Sequence, residues 1–173
     1  RPADARKAST RASTVAAEVW EAADAALGEP ISRLAWEGPA DELDLTVNAQ
    51  PALLAASVAV HRALVEATAS DVTMDEGVWT PRFHAGHSMG QYSALVAAGS
   101  LGLADGLRLV RERGLRMQAS TDGRWGAMGA VIGLDDAQVA EVLERAHAKG
   151  LLSLANRNAP GQVVLSGERP AVE

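Results

Sequence analysis

The pentapeptide Gly86-His87-Ser88-Met89-Gly90 constrains this chain more than any other stretch. A short β-favouring run, Arg82-Phe83-His84-Ala85, enters it, and Gln91-Tyr92-Ser93-Ala94-Leu95-Val96-Ala97-Ala98, an apolar run with helical spacing, leaves it. The pattern predicts a strand, a sharp turn carrying Ser88, and a helix, which is the nucleophile-elbow arrangement. Gly86 and Gly90 stand two residues either side of the serine, where a Cβ is expected to crowd the neighbouring strand and helix as the chain reverses. In the first turn of that helix, unpaired N–H groups and the positive end of the helix dipole surround any oxyanion formed beside Ser88. The Met89 N–H is the expected donor to it. The plain alternative, a serine N-cap between two ordinary glycines, gives no reason for glycine on both sides.

Upstream of the elbow the chain reads as helical. Arg1 to Thr10 is polar and without period, and is expected to be frayed. From Ser13 to Leu27 the apolar residues Val15, Ala16, Val19, Trp20, Ala23 and Leu27 recur at helical spacing, with Gly28 and Pro30 closing the helix. Ile31, Leu34, Ala35 and Trp36 predict a short second helix ending at Gly38, and Pro39 to Leu45 a turn. Thr46 is the expected cap of a long helix over about Asn48 to Ala67, with Pro51 tolerated near its first turn. Its residues are apolar almost all round, so burial against the elbow strand is expected. Ala69 to Thr80 reads as a hydrophilic linker.

Two polar residues stand out against these apolar helices. Gln50 lies at the mouth of the long helix and needs hydrogen-bond partners, which a substrate or the preceding loop could supply. Downstream, Leu103 to about Ala119 forms a helix whose inward stripe is Leu103, Gly106, Leu107, Val110, Gly114 and Met117. Arg108, Arg111 and Arg116 point away from that stripe, and Arg113 projects beside it. A guanidinium at the border of an apolar face calls for a carboxylate or phosphate in fork geometry; one of the chain's 22 acidic residues could equally pair with it.

From Gly126 the texture changes. Gly126 to Leu134 predicts a strand, Asp135-Asp136 caps a helix to about Lys149, and Leu151 to Asn156 and Gln162 to Ser166 predict two more strands. This β-α-β-β order is the opening part of a ferredoxin-like βαββαβ unit, with Pro170 to Glu173 as the first turn of its second helix. Residues 1-125 and 126-173 are thus expected to belong to different subdomains.

Composition narrows the function. With 47% hydrophobic but 3% aromatic residues, the core must be built from Ala, Leu and Val. A formal charge of -6 and a pI near 5.2 argue against nucleic acid or an anionic membrane surface as partner. The absence of cysteine excludes disulfides, thiolate metal sites and a cysteine nucleophile, and points to a reducing compartment. No metal-ligand spacing or signal-peptide pattern is visible, and the apolar runs are interrupted too soon for a membrane span, so a cytoplasmic protein is expected.

Thr46-Val-Asn-Ala-Gln-Pro-Ala-Leu-Leu54, the elbow with Tyr92-Ser-Ala-Leu-Val-Ala-Ala-Gly99, Arg111-Glu-Arg-Gly114, Gly126-Ala-Met128 and Asn156-Arg-Asn-Ala-Pro-Gly-Gln-Val-Val164 together resemble the malonyl-CoA:acyl carrier protein transacylase family, from about Ala16 to the last residue. The resemblance implies an α/β fold: an α/β-hydrolase-like acyltransferase subdomain with an inserted ferredoxin-like subdomain, here truncated at both ends, and the active site in the cleft between them. It implies ping-pong transfer, in which malonyl-CoA acylates Ser88 and the phosphopantetheine thiol of acyl carrier protein then takes the malonyl group, in fatty acid biosynthesis. No cofactor is implied, since the CoA thioester is a substrate. Arg113 matches the position that grips the malonyl carboxylate, selecting dicarboxylic acyl groups over acetyl. Gln50 and His87 are further substrate-binding candidates.

Three departures accompany the resemblance. The family's N-terminal Gly-Gln-Gly loop and its general-base histidine have no match here; none of His61, His84, His87 or His147 occupies the base position. Both imply a fragment. Gln91 stands where the family usually has glutamate. A polyketide synthase acyltransferase shares nearly every motif and is the nearest alternative. A serine esterase explains neither Arg113 nor the βαββ segment, and a degenerate fragment that only binds carrier protein or CoA is the non-catalytic alternative.

Overall fold

The structure, a computed structural model, describes residues 2–69, 81–120 and 126–173, with the backbone alone over 2–12. The chain is α/β and divides into two compact units, Arg1–Gln118 and Ala119–Glu173.

The described residues of the first unit are helical or irregular, with no strand among them. Its helices are α1 (Pro2–Leu27), α2 (Ile31–Glu37), α3 (Ala40–Leu43), α4 (Thr46–Ala69), α5 (Gly90–Ala97) and α6 (Leu103–Ala119), the last ending just past the boundary. The opening segment, expected to fray, is the start of α1. It lacks an amphipathic period, yet it is rich in good helix formers and its one proline sits at the first position, where proline is tolerated. Gly28, at φ 68, ends α1, and the Asp24 carboxylate then accepts the Ser32 N–H at 2.8 Å and the Ser32 hydroxyl at 2.5 Å, which fixes the turn into α2. Trp20 and Trp36 meet across α1 and α2 with ring centroids 5.7 Å apart.

Val19, Ala23, Ile31, Leu54, Ala55, Val58, Val96, Leu107 and Val110 form the core of this unit, contributed by α1, α2, α4, α5 and α6. Burying one of the valine, leucine or isoleucine side chains contributes about 1.5–3 kcal/mol. The expectation that α4 is covered all round needs correction. α4 packs one face on α1 and meets α5, while Leu53, Leu64 and Val65 are exposed and Val60 is 61% accessible. The elbow strand expected to cover α4 is also not formed: residues 81–86 pair with no strand among the described residues, and an extended segment becomes a strand only when a neighbour completes its ladder. Likewise α4, read as too interrupted to span a bilayer, is one 24-residue helix long and apolar enough to do so by length and composition, a test that a packed core helix also passes.

The second unit runs β1 (Gly126–Ile132), α7 (Asp136–Ala146), β2 (Leu152–Ala159), β3 (Gln162–Glu168) and α8 (Arg169–Val172). The sheet order is β1-β3-β2, antiparallel throughout, with Gly126 opposite Glu168, Ile132 opposite Gln162 and Leu154 opposite Leu165. Two irregularities in β2, between Leu154 and Asn156 and between Arg157 and Ala159, carry the hairpin to Gly161. A capping box starts α7: the Asp135 carboxylate accepts the Gln138 N–H at 2.8 Å, and the Gln138 side chain accepts the Asp135 N–H at 2.9 Å. Val139, Ala146, Leu152, Val163, Leu165 and Ala171 pack together on one sheet face, whereas Met128 and Ile132 on β1 are exposed.

Candidate active site

Ser88 has φ 52, the only non-glycine residue in the left-handed region among the described residues. That conformation costs about 1–3 kcal/mol and persists only where surrounding structure enforces it. The enforcement is visible at Gly86. A Cβ there would run into the Gly90 carbonyl and come within 2.6 Å of the Gln91 nitrogen, so the chain can double back only over a glycine. The matching expectation for Gly90 does not hold: a Cβ there meets nothing within 4 Å among the described residues. The space requirement falls on the glycine before the serine, where the backbone folds onto itself, and not on the one already inside the helix.

Downstream of the turn α5 winds tightly. The Gly90, Gln91 and Tyr92 N–H groups donate to the carbonyls of His87, Ser88 and Met89 at 2.9, 3.2 and 3.0 Å. The Met89 N–H has no acceptor among the described residues. Ser88 and His87 are both exposed, and His87 enters the described turn through its carbonyl.

Three of the sequence-derived site residues converge. Arg113 donates from Nη2 to Ser88 Oγ at 2.8 Å and from Nη1 to Gln50 Oε1 at 2.5 Å. Gln50 is the one buried polar side chain among the described residues, 5% accessible, and its Nε2 donates to Thr46 Oγ1 at 2.9 Å and Met117 Sδ at 3.4 Å. Thr46, expected to cap α4, instead begins the helix and turns its hydroxyl to Gln50; the Asn48 and Ala49 N–H groups go to the Leu45 carbonyl, both at 2.8 Å. The sequence marks Thr46 as a cap and Met117 as part of the inward stripe of α6, but neither as a site residue. Their signal was spacing: Thr46 lies four residues before Gln50 on α4, and Met117 four after Arg113 on α6, so each shares a helix face with its partner.

Close helix approach makes this convergence possible. A Cβ on Gly114 would lie 2.7 Å from Val47 Cα and 2.8 Å from the Thr46 carbonyl oxygen, so α6 rests on the backbone of the α4 start. Gln118 supports the same crossing by accepting the Val47 N–H at 3.3 Å.

The four arginines of α6 divide sharply. Arg108 pairs with Asp105 at 3.1 Å and Arg116 with Glu112 at 2.7 Å, both local and exposed. Arg111, expected to point away from the packed stripe, is only 15% accessible, because it reaches Glu29 Oε2 at 2.7 Å and Asn48 Oδ1 at 2.6 Å. Arg113 faces no carboxylate among the described residues; its Nη1 and Nη2 donors meet the neutral oxygens of Gln50 and Ser88. The internal ion pair weighed for Arg113 belongs to Arg111.

A serine forced into an exposed turn, beside it an N–H without an acceptor among the described residues, and touching its oxygen a guanidinium without a carboxylate among them, define a site suited to carrying an acyl group. Residues 10–173 match the acyl transferase domain family, and the chain belongs to it. It is 46% identical to the malonyl CoA-acyl carrier protein transacylase of Escherichia coli (strain K12) over 156 residues, covering 90% of this chain and 48% of that protein. Among solved structures, acyl-carrier-protein S-malonyltransferase from Bartonella henselae matches with 46% identity and a TM-score of 0.78, over 91% of this chain and 48% of that one. A malonyl-transacylase solved with its type II polyketide acyl carrier protein matches with 39% identity and a TM-score of 0.79, over 92% and 48%. The chain spans about half the length of the curated relatives it matches.

Proposed function

We propose that this chain carries the nucleophile and the acyl-carboxylate receptor of a malonyl-CoA:acyl carrier protein transacylase acting in fatty acid synthesis. The observation that carries the reading is Arg113: a cation without a carboxylate partner among the described residues, donating to Ser88 Oγ itself. Ser88 Oγ attacks the thioester carbonyl of malonyl-CoA, and the oxyanion forms next to the Met89 N–H, a donor whose loss in comparable sites costs about 2.7–4 kcal/mol. CoA leaves as the thiol, the malonyl ester remains on Ser88, and the phosphopantetheine thiol of acyl carrier protein attacks that ester in the second half. Arg113 cannot accept the serine proton. The family resemblance assigns that step to a histidine of the family's later half.

During the reaction Nη2 of Arg113 exchanges Ser88 Oγ for the malonyl carboxylate, a charge-assisted bond in place of a neutral one. His87, exposed beside the serine, is placed to line the entry of the acyl group. The reaction requires no cofactor, and we assign the protein to the cytoplasm, where its CoA and carrier-protein substrates would be met.

At the level of the fold we infer an α/β-hydrolase-like subdomain over residues 1-125 and a ferredoxin-like one over 126-173. The strained serine turn supports the first, and the β-α-β-β order with its 1-3-2 antiparallel sheet supports the second. A polyketide carrier protein is the second reading for the acceptor, favoured by the transacylase structure matched above; the chemistry at Ser88 is the same.

The test is covalent. Radiolabelled malonyl-CoA, incubated with the full-length protein that carries this chain, is expected to label Ser88 and to leave Ser88→Ala unlabelled. Label that survives Ser88→Ala sinks the assignment.

A further inference from the structure

Arg113 is a long, flexible cation, and to receive a carboxylate it must be held in register with the serine. We propose that Gln50 is a positioning residue: its buried amide fixes the Arg113 guanidinium over Ser88 Oγ, and through that contact it sets the preference of the site for acyl groups bearing a carboxylate. The proposal rests on the acyl-transfer reading above and assigns Gln50 a place behind the receptor, not on the substrate.

Gln50 has little left to offer a substrate. Both donors of its amide are engaged, one by Thr46 Oγ1 at 2.9 Å and one by Met117 Sδ at 3.4 Å, and its oxygen accepts from Arg113 Nη1 at 2.5 Å. These partners also fix which way the amide points. Reversed, it would set N–H groups against the guanidinium donors and its oxygen against the thioether sulfur, an acceptor. With Nη1 held in this way, the planar fork presents Nη2 to Ser88 Oγ at 2.8 Å. Gln50 is neutral, so it orients the cation without cancelling its charge. A glutamate would orient it and cancel it; an alanine or leucine would do neither. The support reaches further back, since α4 supplies both Thr46 and Gln50, and Gly114 lets α6 settle on the α4 backbone at this point.

The experiment measures kcat and KM for malonyl-CoA and acetyl-CoA in the full-length protein that carries this chain, with Gln50→Glu, Gln50→Leu and Thr46→Val, alongside the melting temperature of each. The expected result is a rise in KM for malonyl-CoA and a fall of about tenfold or more in the malonyl-to-acetyl ratio of kcat/KM for both Gln50 variants, the scale of losing a hydrogen bond to a charged group. Thr46→Val preserves shape and leaves Gln50 in place, so it remains informative if the Gln50 variants fail to fold. It is expected to lower the same ratio by about threefold. A purely structural Gln50 would depress both thioesters in parallel with the melting temperature. Acylation with an unchanged ratio in every folded variant overturns this assignment alone. Failure of both thioesters to acylate Ser88 in the unsubstituted protein overturns the acyl-transfer reading and the assignment with it.

Discussion

The two units satisfy their polar side chains over different reaches of sequence. In Ala119–Glu173 the capping box joins residues three apart, the Arg145–Glu141 and Arg169–Glu173 pairs join residues four apart, and the longest side-chain ion pair among the described residues, Arg157 to Asp136, spans 21. Arg1–Gln118 has local pairs too, such as Arg108–Asp105 and Arg116–Glu112, but the bonds that build its site span 25 residues from Arg113 to Ser88 and 63 from Arg113 to Gln50, and the Arg111–Glu29 pair outside the site spans 82. Contacts within one turn follow from local geometry and fail locally. Contacts between helices exist only while the helices keep their spacing, so damage to packing in the first unit reaches the chemistry, and damage in the second need not.

The largest expected effect lies where the long-range network meets the substrate. Arg113→Ala in the full-length protein removes the carboxylate partner, worth about 2–5 kcal/mol, and should lower kcat/KM for malonyl-CoA by about 30-fold or more, with a markedly smaller loss for acetyl-CoA. Lysine at this position should restore part of the malonyl rate, since an ammonium brings charge without the fork. A parallel fall for both thioesters would make Arg113 a support for Ser88 and not a carboxylate receptor.

Packing comes second. Gly114→Ala forces a Cβ onto the Val47 and Thr46 backbone and should cost about 1–3 kcal/mol of stability. Beyond a lower melting temperature, malonyl selectivity should fall as well, because α6 is moved away from Gln50. A destabilised protein with intact selectivity would break the claimed link between helix spacing and site.

Arg111→Ala sharpens the contrast within one helix. It removes bonds to Glu29 and Asn48, and with Glu29 largely exposed the expected loss is about 1–2 kcal/mol. The malonyl-to-acetyl ratio should stay where it was, as Arg111 lies outside the Ser88 network. A change in that ratio would join the two arginines into one functional unit.

The smallest effect belongs to the second unit. Asp135→Ala removes the α7 cap and should cost about 1 kcal/mol in thermal or denaturant unfolding, with acylation of Ser88 by malonyl-CoA retained.

Much of the molecule was legible as a sequence because it depends on neighbours close along the chain. Helical spacing located α1, α2, α4, α5 and α6 to within a few residues at most ends, and the stripe of α6 placed Gly106, Leu107, Val110 and Gly114 correctly inside. The β-α-β-β order and the Asp135 cap were equally readable, since strand alternation and a capping box are local codes. The elbow pentapeptide, with Gly86 before the serine, was enough to single out Ser88.

Tertiary structure decided what those residues face. Spacing could place Arg113 at the border of a packed stripe, but not choose between an internal acid and an external one. It sent Arg111 outward, although Glu29, 82 residues away, draws it in. Thr46 had the character of a cap and became the anchor of Gln50, and Arg82 to Ala85 had the composition of a strand but no ladder to join among the described residues. The physical reason is common to all four. A side chain's propensity is written in its own few torsions, whereas a hydrogen bond, an ion pair or a sheet ladder needs a second partner, and only the packing of distant helices settles which partner is there.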